Sequence, residues 1–329
     1  MSLFLRRLLT EVFEGTMQPV GIVTDSHSGI TQKIAKTLGV KVLPMPFYVG
    51  EECCYEGLDD TDETSGAGSM EQVDSSDERI PTMSRQEFFE KMAAGMEIST
   101  SQPSPASVME LWDEALKEYE QIVYIPISSG LSGSCSTAMM MAQEDDYQGR
   151  VHVVDNGRVS VLLYRSVLDA LELVQKGYSA EEIKNKLEEF RAKMSIYIAV
   201  EDLTYLKKGG RISSAAASLG TILNIKPVLK FDVGTLDVYK KCRGMKKARA
   251  EMLLAMKNEM ENTFKEFHDR DELYLLAASS ADQETTASWL AEIKEFFPGK
   301  EVLYGDLPLG LCCHIGPGGL GIGCSCKII

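Results

Sequence analysis

The chain has 329 residues, 44% of them apolar, with 34 basic and 49 acidic side chains for a net charge of −15. That length accommodates two domains with sizeable cores. The acidic balance excludes a general nucleic-acid binder, which needs clustered Lys and Arg against phosphates, and it disfavours docking on an anionic membrane.

Residues 1–16 combine Arg6 and Arg7 with Glu11 and Glu14 and lack the long apolar core of a signal peptide. No apolar run reaches transmembrane length, so no integral membrane segment is expected. The spacing then predicts a strand over 20–24, a helix over 30–38 and a second strand over 42–49. Residues 51–81, rich in Asp, Glu, Ser, Gly and Thr, read as a solvated excursion. Helices follow over 85–94 and from Ser104-Pro105, where Pro takes the first helical position and Val108, Leu111, Trp112 and Leu116 share one face. An apolar run over 122–127 reads as a buried strand, 135–142 as a helix and 151–154 as a further strand. This βαβ rhythm implies an N-terminal α/β domain, 18–155, with a parallel, Rossmann-like sheet.

The order of elements changes from Asn156. Helices are expected over 161–175 and 180–193, a strand over 196–200 and a loop over 207–213. A small-residue helix, a strand pair (227–231 and 236–239) and a long helix (246–264) come next. A strand over 273–278, a helix over 285–296 and a strand over 301–304 complete the series. The mixed pattern implies a second domain, 156–329, an α/β sandwich with a ligand cleft between it and the first.

The most informative segment is Ile127-Ser128-Ser129-Gly130-Leu131-Ser132-Gly133-Ser134. A small-residue loop at the carboxyl end of a strand, opening a helix, is where open α/β sheets bind ligands. Its hydroxyls, its backbone N–H groups and the helix N-terminus suit a carboxylate or a phosphate. Thr24-Asp25-Ser26 ends the first strand; Ser26 and Ser28 read equally as caps of the next helix, and Asp25 is left open. Ser99-Thr100-Ser101-Gln102 offers more polar groups than capping needs. Gly209-Gly210-Arg211-Ile212-Ser213 sets a guanidinium after two glycines, as a ligand group or as a surface Arg. Lys207-Lys208 and Arg243 with Lys246-Lys247 are basic spots on an acidic chain, candidates for docking or phosphate. Of the four His, His27 and His152 read as structural and His268 as exposed. His314, in the glycine-rich His314-Ile315-Gly316-Pro317-Gly318, is poised toward a ligand.

Eight cysteines include the pairs Cys53-Cys54 and Cys312-Cys313. Adjacent cysteines in a chain this long do not read as a secreted disulfide framework, so a reducing cytoplasm is expected. Cys312, Cys313, Cys324 and Cys326 lack CxxC spacing, so no metal is expected. GxGxxG after the first strand, GxxxxGK[ST], GxSxG and HExxH are all missing.

Thr24-Asp25-Ser26, Thr100-Ser101-Gln102-Pro103-Ser104, Ser128-Ser129-Gly130-Leu131-Ser132-Gly133, Gly209-Gly210-Arg211-Ile212-Ser213 and His314-Ile315-Gly316-Pro317-Gly318 occur in one order. Asp202-Leu203-Thr204-Tyr205-Leu206 and Arg243-Gly244-Met245-Lys246-Lys247 stand among them. Over about residues 18–323 the chain resembles the DegV family of bacterial fatty-acid-binding proteins. The resemblance implies two α/β domains clasping one long-chain fatty acid of the palmitate, stearate or oleate class, with no other cofactor. It implies a carboxylate set of Thr100 and Ser132, with Ser129, Ser101 and His314 beside them, and a partner or phosphate role for Arg211 and Arg243. Some members of the family are lipid-carrying, non-catalytic subunits of a fatty acid kinase, presenting the acid to an ATP-dependent subunit for acyl-phosphate formation. Two departures stand out: the excursion over 51–81 is long, and Ile315 replaces the usual Thr. The competing expectation is an enzyme acting on a small phosphorylated or carboxylated metabolite, with His314 as acid or base.

Overall fold

The computed structural model describes residues 18–56, 82–213, 225–232 and 234–328. The expected small-residue helix after 213 and most of the excursion, 57–81, lie outside them. Strands in the first half are β1 (Gln18–Asp25), β2 (Lys41–Leu43), β3 (Phe47–Val49), β4 (Glu52–Glu56), β5 (Thr82–Met83), β6 (Ile98–Thr100), β7 (Tyr119–Ile125) and β8 (Val151–Val153). They form a parallel sheet ordered β2-β1-β7-β8 and a small sheet ordered β5-β4-β3-β6.

The single strand expected over 42–49 is two strands in different sheets. Pro44 and Pro46 carry no N–H for a ladder, so the chain leaves the parallel sheet after Leu43 and restarts at Phe47. The excursion begins as an ordered strand, because Glu52–Glu56 pairs with β3. Ser104 caps the helix Pro105–Ala115, accepting from the Ser107 N–H, with Pro at its start.

The second half contains β9 (Met194–Ala199), β10 (Ile225–Asp232), β11 (Thr235–Arg243), β12 (Leu273–Ser279), β13 (Val302–Asp306) and β14 (Leu320–Cys326). Their order is β11-β10-β9-β14-β12-β13, antiparallel except for β12 with β13. The alternation of side chains along a strand sorts this sheet into two faces. Tyr197, Ala199, Leu275 and Ala277 pack with Met252 and Trp289 of the covering helices. Ile196, Ile198, Leu276 and Ala278 instead join a core shared with Phe47 and Phe88 of the first half and Leu309 and Cys312 of the helix Leu309–Ile315.

The helices Val161–Gln175 and Ala180–Glu189 share a core with β1 and β7, through Leu163, Val167 and Ile183 against Val20, Ile22 and Val123. The cut expected at 155/156 therefore separates two helices from the sheet that they cover. The long helix expected over 246–264 runs as Met245–Asn258 and continues in a π-helical turn, Glu259–Thr263. Among the described residues no helix is long and apolar enough to cross a membrane. All eight cysteines are free thiols, and no group of three His, Cys, Asp or Glu among the described residues could hold a metal ion.

Candidate functional site

The turn that ends β1 is polar and fully inside. Thr24 Oγ1 donates to the Ile125 carbonyl across the sheet at 2.7 Å. The Asp25 carboxylate accepts from the amides of Ile127 (2.7 Å) and His27 (3.0 Å). Burial raises the Asp25 carboxyl to about 7 in spite of these two bonds. Ser26 Oγ accepts the Met45 amide and Ser28 Oγ donates to the Asp25 carbonyl. These residues bind the ends of β1 and β7 together and so hold the serine-rich loop after Ile127 in place.

A cavity of about 240 Å³ lies between that loop and the inner face of the C-terminal sheet. Its wall is largely apolar, with Leu162, Ile196, Ile198, Phe231, Leu236, Leu276 and Leu307. Polar groups gather at one side: Thr100, Ser101, Gln102, Ser132, Arg211 and His314. Thr100, the last residue of β6, makes a 2.9 Å hydrogen bond between its Oγ1 and His314 Nε2. His314 sits in the last turn of the helix Leu309–Ile315, not in a glycine turn. Gly209 makes room for it, since a Cβ there would lie 1.9 Å from His314 Nδ1. The ring is neutral: burial, then the nearby Arg211 guanidinium, lowers it to about 4.

Arg211 Nε donates to the Leu131 carbonyl at 3.3 Å and a terminal nitrogen donates to the Gly209 carbonyl. This ties the Gly209-Gly210-Arg211 turn to the serine loop. Ser132 Oγ lies 3.0 Å from Ser134 Oγ and accepts the Ser134 amide at 3.3 Å. Ser101 lines the cavity, and its hydroxyl donates to the Gln102 carbonyl.

A second, more polar cleft of about 400 Å³ shares Thr100, Arg211 and His314 with the first. Asp202, Thr204, Tyr205 and Lys208 complete its wall together with Met96 and Ser99. Thr100, Arg211 and His314 therefore face an apolar chamber on one side and a polar cleft on the other.

Five of the seven residues expected in the site meet here: Thr100, Ser101, Ser132, Arg211 and His314. Ser129 does not line the cavity. Its Oγ donates to Asp155 Oδ2 at 2.5 Å, and Asp155 is paired in turn with Arg191 at 2.7 Å. Burial works against the Asp155 charge, yet bonds from Ser129 and Arg191 hold its pKa below the ordinary value. Arg243 ends the edge strand β11 and lines neither space. His27, expected to be structural, also lines the cavity. So does Ser160, which carried no motif. The Cys312 and Cys313 thiols donate to the carbonyls of Leu307 and Leu309.

A family model described as an uncharacterised protein of the DegV family matches residues 19–327. A DegV domain-containing protein of Deinococcus radiodurans is 34% identical over 234 residues, 71% of this chain and 74% of that protein. A Thermus thermophilus DegV family structure described as fatty acid binding superposes with a TM-score of 0.77 at 31% identity, covering 94% of this chain and all of that one. DegV of Bacillus subtilis, described as a fatty acid binding protein, gives 0.75 at 25% identity over 95% of this chain and all of its own. A stearic acid-binding protein from Eubacterium ventriosum shares the fold, with a TM-score of 0.76 at 22% identity over 94% of this chain and 99% of its own. The family match runs from within β1 to just past the last strand and spans every segment that builds the cavity, and on it the chain is a member of the DegV family.

Proposed function

We propose that this protein binds one long-chain fatty acid with its tail in the apolar chamber and its carboxylate at Thr100, Ser132 and His314. One observation carries the reading: an apolar cavity ends in a cluster of uncharged hydroxyl and imidazole groups beside a single guanidinium. Each buried methylene contributes about 0.8 kcal/mol, so the tail supplies most of the affinity. The hydroxyls and Arg211 meet the cost of bringing the carboxylate out of water. The fatty acids held by the Thermus and Bacillus relatives support the same ligand class.

The shared polar cleft supports a further step. A carboxylate at this junction is reachable from the cleft while the tail stays inside, as presentation to a separate ATP-dependent kinase subunit for acyl-phosphate formation in the cytoplasm requires. Lys208 and Arg211 face the transferred phosphate in this reading, and Arg243 belongs to the docking face. The enzyme alternative needs His314 as an acid or base near neutral pH. A ring lowered to about 4 and bonded to Thr100 is poorly matched to that task. Native mass spectrometry of the purified protein tests the reading. A co-purified mass of a C14 to C18 acid supports it, and an unliganded protein that also fails to take up stearate in titration overturns it.

A further inference from the structure

Two side chains in the cavity wall stand outside the head-group set. His27 and Ser160 both line the cavity and are 7% and 6% exposed. Among the described residues His27 Nδ1 and Ser160 Oγ have no hydrogen-bond partner; the Asp25 carboxyl lies 3.7 Å from Nδ1, beyond hydrogen-bond distance. Buried polar atoms are nearly always paired, and each exception asks for an explanation. The two are neighbours in space, since the Ser160 amide donates to the His27 carbonyl at 3.0 Å.

Both positions are held at a conformational cost or by a specific allowance of space. Ser160 has φ 55° and ψ −138°, a region that residues other than glycine rarely adopt and that concentrates at ligand sites. Gly310, also in the cavity wall, leaves room for the imidazole, because a Cβ there would lie 2.5 Å from His27 Nε2. The ring is neutral, lowered to about 3 by burial and then by the His314 ring. A neutral imidazole has one donor and one acceptor, and a serine hydroxyl has both. Their complement is a group that donates and accepts at once. A plain hydrocarbon tail would leave both unpaired.

We propose that His27 and Ser160 hydrogen-bond a hydroxyl carried on the acyl chain, so that a hydroxylated long-chain carboxylic acid is the favoured ligand. This rests on the fatty-acid reading above. His27 packs on Gly310, one turn before His314 in the helix Leu309–Ile315, which places the hydroxyl on the carboxylate-proximal part of the chain.

Competitive titration of stearate and of stearates bearing one hydroxyl, at single positions from C3 to C12, tests this. Burying an unpaired hydroxyl weakens binding about tenfold or more. One proximal isomer is expected to bind at least as tightly as stearate, with the others about tenfold or more weaker. In His27→Leu and Ser160→Gly the favoured isomer falls about tenfold while stearate holds or gains; glycine suits the backbone at 160. The proposal is overturned if every isomer binds the wild type more weakly than stearate, as a water held by the pair would produce. It is overturned equally if the favoured isomer keeps its advantage in every variant that folds. If neither variant folds, the wild-type isomer series decides alone. Failure of stearate and all isomers to bind would instead remove the fatty-acid reading.

Discussion

The two walls of the cavity are built on opposite principles. The N-terminal wall, at the ends of β1, β6 and β7, is made of short polar side chains whose partners are mostly backbone amides and carbonyls of the same turn or of the neighbouring strand end. The C-terminal wall is one face of the mixed sheet β11-β10-β9-β14-β12-β13, lined by Ile196, Ile198, Phe231, Leu236 and Leu276. On the fatty-acid reading, the first wall fixes where the charged end sits and contributes little area. The second contributes area and has no preference along the tail. Orientation and affinity are thus encoded in different sheets, and each can be perturbed without the other.

The largest effect is expected from the apolar wall. Ala278→Trp fills part of the chamber. Displacing about four methylenes at about 0.8 kcal/mol each forfeits roughly 3 kcal/mol, about a hundredfold in affinity for a C18 acid. A C8 acid should lose far less. Calorimetric titration across chain lengths checks this, and an equal loss for both acids would dissolve the division of labour between the walls.

The polar wall comes second. Thr100→Val or Ser132→Ala should weaken fatty-acid binding about tenfold or more, since a hydrogen bond to a charged group contributes roughly 1.5–3 kcal/mol. Circular dichroism and the melting temperature should stay near wild type for Ser132→Ala. Unchanged affinity in both variants would remove these hydroxyls from the head-group set.

The buried titratable groups of the two walls predict a plateau in stability. His27 and His314 are lowered to about 3 and 4, so their contribution is present above pH 6.5 and is lost as pH falls. Asp25 and Glu56 are raised by burial to about 7, so theirs is present at low pH and is lost as pH rises through 7. Between about pH 5 and 6 the unfolded chain holds two extra protons on the histidines and the folded chain two on the acids. The slopes cancel. Asp25→Asn removes one acid, and stability should then rise with pH in this window by about 1.4 kcal/mol per unit. Urea unfolding of both proteins at three pH values decides it; a wild type whose stability already rises with pH as steeply as the variant's would mean that Asp25 is ionised in the fold.

The smallest effect on the lipid itself is expected at Arg243. Arg243→Ala should leave fatty-acid affinity within about twofold, because the side chain lines neither space, and should lower acyl-phosphate formation with a cognate kinase subunit. Wild-type turnover would show that this basic spot has no docking role.

Much of this was legible in the sequence because loops at strand ends advertise themselves. The serine-rich loop, Thr100, Gly209 to Arg211 and His314 are spaced far apart in the chain but each sits where periodicity stops, and the structure gathers them. Ser129 was misplaced because a loop hydroxyl next to a site looks the same whether it faces the ligand or an Asp155 twenty-six residues on. His27 and Ser160 were missed for the opposite reason. Their neighbours satisfy capping and strand patterns, and only the absence of a partner in three dimensions marks them. In the fold, Pro44 and Pro46 were the signal that split β2 from β3. The glycines of Leu320–Cys326 hid a fully buried strand, since three small residues in seven weaken any apolar pattern.

The three residues shared by chamber and cleft have a consequence for solubility. A long-chain acid and its activated forms are poorly tolerated by water as free molecules, and their hydrocarbon must be covered at every stage of their chemistry. With Thr100, Arg211 and His314 forming a common partition, the end of a bound acid that would change and the end that must stay dry would face separate spaces. On the fatty-acid reading, the cargo can be chemically altered at its tip without the hydrocarbon ever meeting solvent, and the protein that carries it in can carry the altered form away.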